Sequence, residues 1–191
     1  MNATMTLENA KHYPVMLNQI LSIISPQHGG MFIDCTFGGG GYTKAILKFP
    51  GTKVIAIDRD QIAKQHANKV LKEFPDRFKF FQDKFSNLNK ISELNDNPRA
   101  IIFDLGLSSY QIADSQRGFS FKSIGPLNME MGINVCSVFD AVNKLDKNDL
   151  AKIIRILGEE RDAKRIANEI IKRRFKKPLQ NSEELVSIIK S

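Results

Sequence analysis

Cysteine is scarce in this chain. Among 191 residues only Cys35 and Cys136 occur, far apart and outside any C-x-x-C pairing, which excludes a disulfide framework and a cysteine zinc site. Histidine is equally thin. His12, His28 and His66 are scattered, so no metal centre is expected. No run approaches the roughly 18 apolar residues of a membrane-spanning helix, and MNATMTLENAKHY lacks the basic and apolar regions of a secretory leader. No membrane partner is expected, and a reducing cytoplasm is the expected compartment. Internal repeats and low-complexity tracts are also missing. Two phosphate-binding patterns are absent as well: no G-x-G-x-x-G follows a strand, and Thr43-Lys44 reverses the Gly-Lys-Ser/Thr order of a P-loop.

What remains is an ordinary globular composition, 42% hydrophobic and 26% charged, with a formal charge of +7 and a pI near 9.4. The excess charge is local. Residues 147–177 hold eleven Lys and Arg against five Asp and Glu, a net of +6, as an interaction face for an anionic partner would. Lys172, Arg173, Arg174, Lys176 and Lys177 are its densest part. A solvated helix face with a basic end near its carboxyl terminus accounts for the same residues.

Four short apolar runs, 31–35, 53–57, 77–81 and 100–105, are predicted strands. Helical spacing separates them: a helix opens near Thr43, and Ile62, Ala63, Ala67, Val70, Leu71 and Phe74 mark another over 60–74. Residues 14–24 give an amphipathic helix ahead of the first strand. Strands alternating with helices imply right-handed crossovers and a parallel sheet. Residues 106–137 show no sustained period and read as a long loop, of the kind that is usually functional. Beyond it, Leu150, Ile153, Ile154 and Leu157 form one apolar stripe and Ile166, Ala167, Ile170 and Ile171 another, and Asn181 with Glu184 reads as a capping box. The architecture is thus half of a doubly wound α/β sheet, open beside its fourth strand, followed by a basic helical segment.

In such sheets a ligand lies beyond the carboxyl ends of the strands, at the first glycine-rich turn. The segment IDCTFGGGGYT, residues 33–43, occupies that place, and Asp58 ends the second strand seventeen residues after Gly41. An acid there commonly accepts ribose hydroxyls. A plain glycine turn with an incidental acid is the competing explanation. With both phosphate patterns missing, a phosphate-free nucleoside cofactor, S-adenosylmethionine, suits the loop better than a dinucleotide. The run IIFDLGLSS places Asp104 where a methyl donor would face its substrate.

Seven motifs in order carry a more specific resemblance: HYPVM at 12–16, DCTFGGGGYT at 34–43, AIDRD at 56–60, DLGLSSYQ at 104–111, RGFSF at 117–121, GPLNMEM at 125–131 and GEERDAKRIA at 158–167. Together they resemble the ribosomal RNA small subunit methyltransferase H family, over nearly the whole chain from about residue 11. The resemblance implies a class I methyltransferase, Rossmann-like α/β fold with an inserted all-helical domain, and N4-methylation of a cytidine in 16S rRNA of the small ribosomal subunit. It implies S-adenosylmethionine as cofactor, held by Gly40, Gly41, Tyr42, Asp58, Phe85, Asp104 and Gln111, with no metal. Asp104 is the candidate catalytic residue, accepting a hydrogen bond from N4. The five basic residues 172–177 would contact RNA, and the domains would be residues 1–113 for cofactor and 114–191 for substrate.

The pattern departs from the family at Tyr42 (usually His), Cys35 (usually Gly), Asn128 (usually Asp) and Glu130 (usually Arg). Family members also continue beyond residue 191, with further strands. A complementary C-terminal chain is therefore a candidate partner, and a non-catalytic remnant that binds RNA or cofactor without turnover is the alternative to an enzyme. A nucleotide-dependent oxidoreductase is a third reading, disfavoured by the glycine pattern.

Overall fold

A computed structural model describes residues 13–91, 97–120, 125–133 and 136–190. His12 of the first motif and Phe121 of RGFSF lie outside the described residues. The chain divides into two units, one through Gly106 and one from Leu107 onward.

The first unit is a four-stranded parallel sheet in the order β3-β2-β1-β4, built from β1 (Gly30–Asp34), β2 (Thr52–Asp58), β3 (Phe78–Gln82) and β4 (Ala100–Ile102). This is the α/β class expected. Helices α1 (Leu17–Ile24), α2 (Gly41–Leu47) and α3 (Gln61–Glu73) precede or connect the strands. Side chains alternate across a strand, so each strand supplies two cores. Phe32, Val54, Ala56 and Phe78 face one way, against Ile46, Leu47, Ala63, Ala67, Val70 and the apolar side of α1. Ile33, Cys35 and Ile57 face the other, against Phe81, Leu88 and Ile91.

Two expectations need adjusting. The fourth apolar run pairs only over Ala100–Ile102, not to Leu105, because the Asp104 N–H turns to the hydroxyl of Thr36 at 2.8 Å and leaves the ladder. The first helix starts at Leu17, not Pro14, because Met16 adopts a left-handed conformation with φ 52°.

The second unit holds α4 (Ser109–Ala113), α5 (Val138–Lys144), α6 (Lys147–Leu157), α7 (Ala163–Lys176) and α8 (Ser182–Lys190). The stretch 106–137 is thus not all loop: besides α4 it contains a tight turn of helix at Ser115–Arg117. Leu127, Val142, Leu150, Ile166, Ala167, Ile170, Leu179 and Ile188 form the core. The predicted α7 stripe is largely buried. The α6 stripe is not: Leu150 is buried, whereas Leu157 is 79% exposed. The predicted cap of α8 is present. Asn181 accepts from the Glu184 N–H at 2.9 Å, and Glu184 reaches back to the Gln180 N–H at 2.7 Å, one residue before the usual partner.

Candidate functional site

The carboxyl ends of β1, β2 and β4 carry the glycine loop, Asp58 and Asp104, and Phe85 follows β3. The turn after β1 is held from two sides. Asp34, fully buried, accepts from the Thr36 N–H at 3.2 Å and from the Thr43 hydroxyl at 2.7 Å, clamping both ends of the glycine loop. Asp58 accepts from the Gly38 N–H at 2.7 Å and, with its other oxygen, from the Asp60 N–H at 2.8 Å. A carboxylate has about four acceptor sites, so these two bonds leave Asp58 capacity for hydroxyl donors. Burial is the main reason that the Asp58 carboxyl is pushed above its ordinary range.

The glycines answer two demands of the chain's own packing. Gly40 has φ 77°, and a Cβ there would meet the Phe37 ring at 2.8 Å; one at Gly41 would lie 2.2 Å from Cγ of Pro14. Neither position needs a ligand to explain it. Gly40 is buried and Gly41 half-buried beneath those two rings, so the main chain of this loop is better exposed at the half-buried Gly38 and Gly39.

Tyr42, buried in the first turn of α2, donates to the Val15 carbonyl at 2.6 Å, and its hydroxyl lies 3.5 Å from Oδ2 of Asp104. The shorter contact takes the proton. Burial first, and then the Asp104 carboxylate, push the Tyr42 phenol up to about 12, so it stays a neutral donor. The Asp104 carboxylate is exposed, and its backbone is tied to Thr36. Phe85 follows β3 with 44% of its surface exposed, its ring edge-to-face with Phe103 at 5.4 Å. An aromatic face open beside a strand end suits a planar base.

Gln111 belongs to the second unit. Its side-chain oxygen accepts from the Ser108 N–H at 2.8 Å while its own N–H donates to the Ser108 hydroxyl, a capping box that starts α4. Of the basic residues, Lys172, Arg173, Lys176 and Lys177 are exposed. Arg174 is not: half-buried, it donates to the Val142 carbonyl at 2.8 Å.

Several residues that shape the site had no role assigned from sequence. Asp34 is one. Burial pushes its carboxyl up to about 6, and its position two residues before Thr36, at a strand end, is the only sequence signal for it. Asp83, after β3, accepts from Asn87 and Lys84, and the Asn87 amide above all holds its carboxyl below the ordinary range. Cys35 is buried, and desolvation pushes its thiol up to about 11, so it packs as a small apolar group and not as a nucleophile. Two motifs are explained internally: Arg117 donates to the Glu130 carbonyl and Met129 to that of Arg117, joining RGFSF to PLNMEM. Among the described residues no helix is long and apolar enough to cross a membrane, and no group of His, Cys, Asp and Glu could hold a metal ion.

The model of the MraW methylase family matches residues 9–191. A ribosomal RNA small subunit methyltransferase H from Wolbachia sp. subsp. Drosophila simulans (strain wRi) is 40% identical over 183 residues, 94% of this chain and 62% of that one. One of the same name from Brucella ovis is 41% identical over 185 residues, 95% of this chain and 53% of that one. The chain therefore spans between about half and three fifths of the length of these curated relatives. A solved rRNA methylase from Streptococcus thermophilus, at 25% identity, covers 46% of this chain and 54% of its own with a TM-score of 0.37.

Proposed function

We propose that this chain, which belongs to the MraW methylase family, carries the cofactor-binding half of an S-adenosylmethionine-dependent enzyme that methylates N4 of a cytidine in 16S rRNA of the small ribosomal subunit, in the cytoplasm. One observation supports this most: Asp58, the glycine loop and Asp104 converge at the carboxyl ends of adjacent parallel strands. The division of labour proposed is cofactor binding by residues 1–113 and substrate recognition by 114–191.

The residues present fit the cofactor. Asp58 would accept from the ribose hydroxyls, the glycine turn through Gly40 and Gly41 would lie by the amino-acid end, Phe85 would face the adenine, and Tyr42 and Asp104 would border the site. Gln111 would act through α4, whose first turn it caps. The cofactor supplies an electrophilic methyl group on a sulfonium.

The chain's own work is orientation and proton acceptance. An exocyclic amine conjugated to its ring is a poor nucleophile, so the protein must hold N4 with its lone pair turned toward the site. The Asp104 carboxylate can do this: its exposed oxygens accept an N4–H, fix the rotation about the C4–N4 bond, and favour loss of that proton as N4 is alkylated. The bond from its N–H to Thr36 fixes the backbone that carries the carboxylate, and the neutral Tyr42 hydroxyl beside it removes no proton. Lys172, Arg173, Lys176 and Lys177 would neutralise RNA phosphates; Arg174, engaged by Val142, would contribute field but not contact.

The test is mass spectrometry of 16S rRNA after small subunits are incubated with the chain and S-adenosylmethionine. Methyl on N4 of one cytidine, lost in Asp104→Asn with cofactor saturating, is the expected result. Wild-type turnover in Asp104→Asn would remove the proposed role of that residue. Saturable cofactor binding without transfer, even when the C-terminal remainder of a relative is supplied in trans, would favour the non-catalytic alternative.

A further inference from the structure

Helix α7 displays an aromatic ring where its composition gives no packing reason for one. Ala163, Ile166, Ala167 and Ile170 are its buried stripe. With about 3.6 residues per turn, Lys164, Arg165, Lys172, Phe175 and Lys176 fall on the opposite side. All five are exposed, and Phe175 is 91% exposed. Single exposed apolar residues are ordinary on protein surfaces. This one differs in its setting: α7 carries six Lys and Arg against one Glu, and Lys177 follows directly.

Phe175 is also held in place. One residue earlier, Arg174 anchors the last turn of α7 to the Val142 carbonyl at 2.8 Å, and the Lys177 N–H closes the helix on the Arg173 carbonyl at 3.2 Å. Lys172, one turn back on the same exposed side of the helix, pairs with Glu169. A fixed, solvent-facing aromatic bordered by ammonium groups fits a polyanion whose planar groups are open to contact. Unpaired nucleotides provide that chemistry, because each offers a π-face beside a phosphate. A duplex does not, since its bases are already stacked on one another.

We infer that Phe175 stacks on an unpaired RNA base while Lys172, Lys176 and Lys177 hold the adjoining phosphates, so that α7 selects single-stranded over double-stranded RNA. This rests on the proposed placement of RNA on the basic helix and adds the kind of strand it takes.

The chain contains no tryptophan, so Phe175→Trp gives a single emitter at the position. A twelve-nucleotide single-stranded oligoribonucleotide should quench its emission on titration, and a blunt duplex of the same sequence should not. Phe175→Ala should weaken single-strand binding by about tenfold at fixed salt while leaving the slope of log affinity against log salt unchanged. Replacing Lys172, Lys176 and Lys177 together by Gln should flatten that slope. No quench together with no loss in Phe175→Ala overturns the inference, as does equal weakening of single-strand and duplex binding. It is likewise overturned if Phe175→Ala abolishes self-association of the chain in sedimentation and leaves RNA affinity intact, since the ring would then be a protein contact. An unchanged salt slope in the lysine variant with the quench retained removes the phosphate placement alone and supports stacking; loss of both effects removes RNA from α7 altogether.

Discussion

The backbone N–H of Gly38 donates to the carboxylate of Asp58 at 2.7 Å, joining the turn after β1 to the acid that ends β2. One side chain thereby serves two adjacent strands, because its other oxygen accepts from Asp60 at 2.8 Å. Asp58→Asn keeps the shape but has only one acceptor oxygen, so one N–H faces an amide NH2. A loss of about 1–3 kcal/mol is expected in urea denaturation.

Asp34 should give the first unit a particular pH dependence. Its carboxyl stands near 6 when folded and near 3.8 when unfolded, so between these values the folded chain binds more protons. Stability from this group is then full below about pH 4 and falls as pH rises toward 6 and beyond. Asp34→Asn lacks that dependence. Measured by denaturation at pH 4 and pH 7, the stability difference between the variant and the wild type should move in the variant's favour by on the order of 2–3 kcal/mol.

At Gly41 two opposing effects can be weighed. Alanine would gain about 1 kcal/mol of helix propensity in α2. Its Cβ would also stand 2.2 Å from Cγ of Pro14, and overpacking typically costs about 1–3 kcal/mol. Gly41→Ala is expected to lower the melting temperature. Adding Pro14→Ala should restore part of the loss, whereas an additive double variant would show that the ring is not the obstacle.

Tyr42→Phe removes the donor to Val15 and leaves that carbonyl without its 2.6 Å partner. A loss of about 1 kcal/mol is expected. Tyr42 thus anchors α2 to the segment before α1. A variant as stable as the wild type would show that water replaces the hydroxyl.

Much of the first unit was legible in the sequence because its strands are short apolar runs and α3 keeps helical spacing under an Asp60 cap. The glycine loop and Asp58 were legible as a pair because their places on consecutive strand ends follow from the alternation alone. The reasons for the glycines were not. Phe37 and Pro14 supply them: the Phe37 ring folds back over its own turn and Pro14 arrives from the segment before α1, and no local pattern announces either. The extent of the fourth strand was misread for a similar reason: apolar residues run on to Leu105, but a hydroxyl on the first strand's turn takes the Asp104 N–H after Ile102. In the second unit, periodicity found the α7 core and overstated that of α6, where Ile153 and Leu157 are exposed. Charge density likewise counted Arg174 with its neighbours, although the Val142 carbonyl had already claimed it.

The central claim, that the first unit holds S-adenosylmethionine against the acid at the end of β2, is tested most directly by calorimetric titration of the wild type and Asp58→Asn with that cofactor. Both should be titrated at a temperature where circular dichroism shows them folded. Saturable one-to-one binding by the wild type, weakened by about tenfold or more in the variant, is the predicted result, since one lost hydrogen bond to a charged group is worth about 1.5–3 kcal/mol. Equal affinities for the two proteins, or no binding by the wild type, would contradict it.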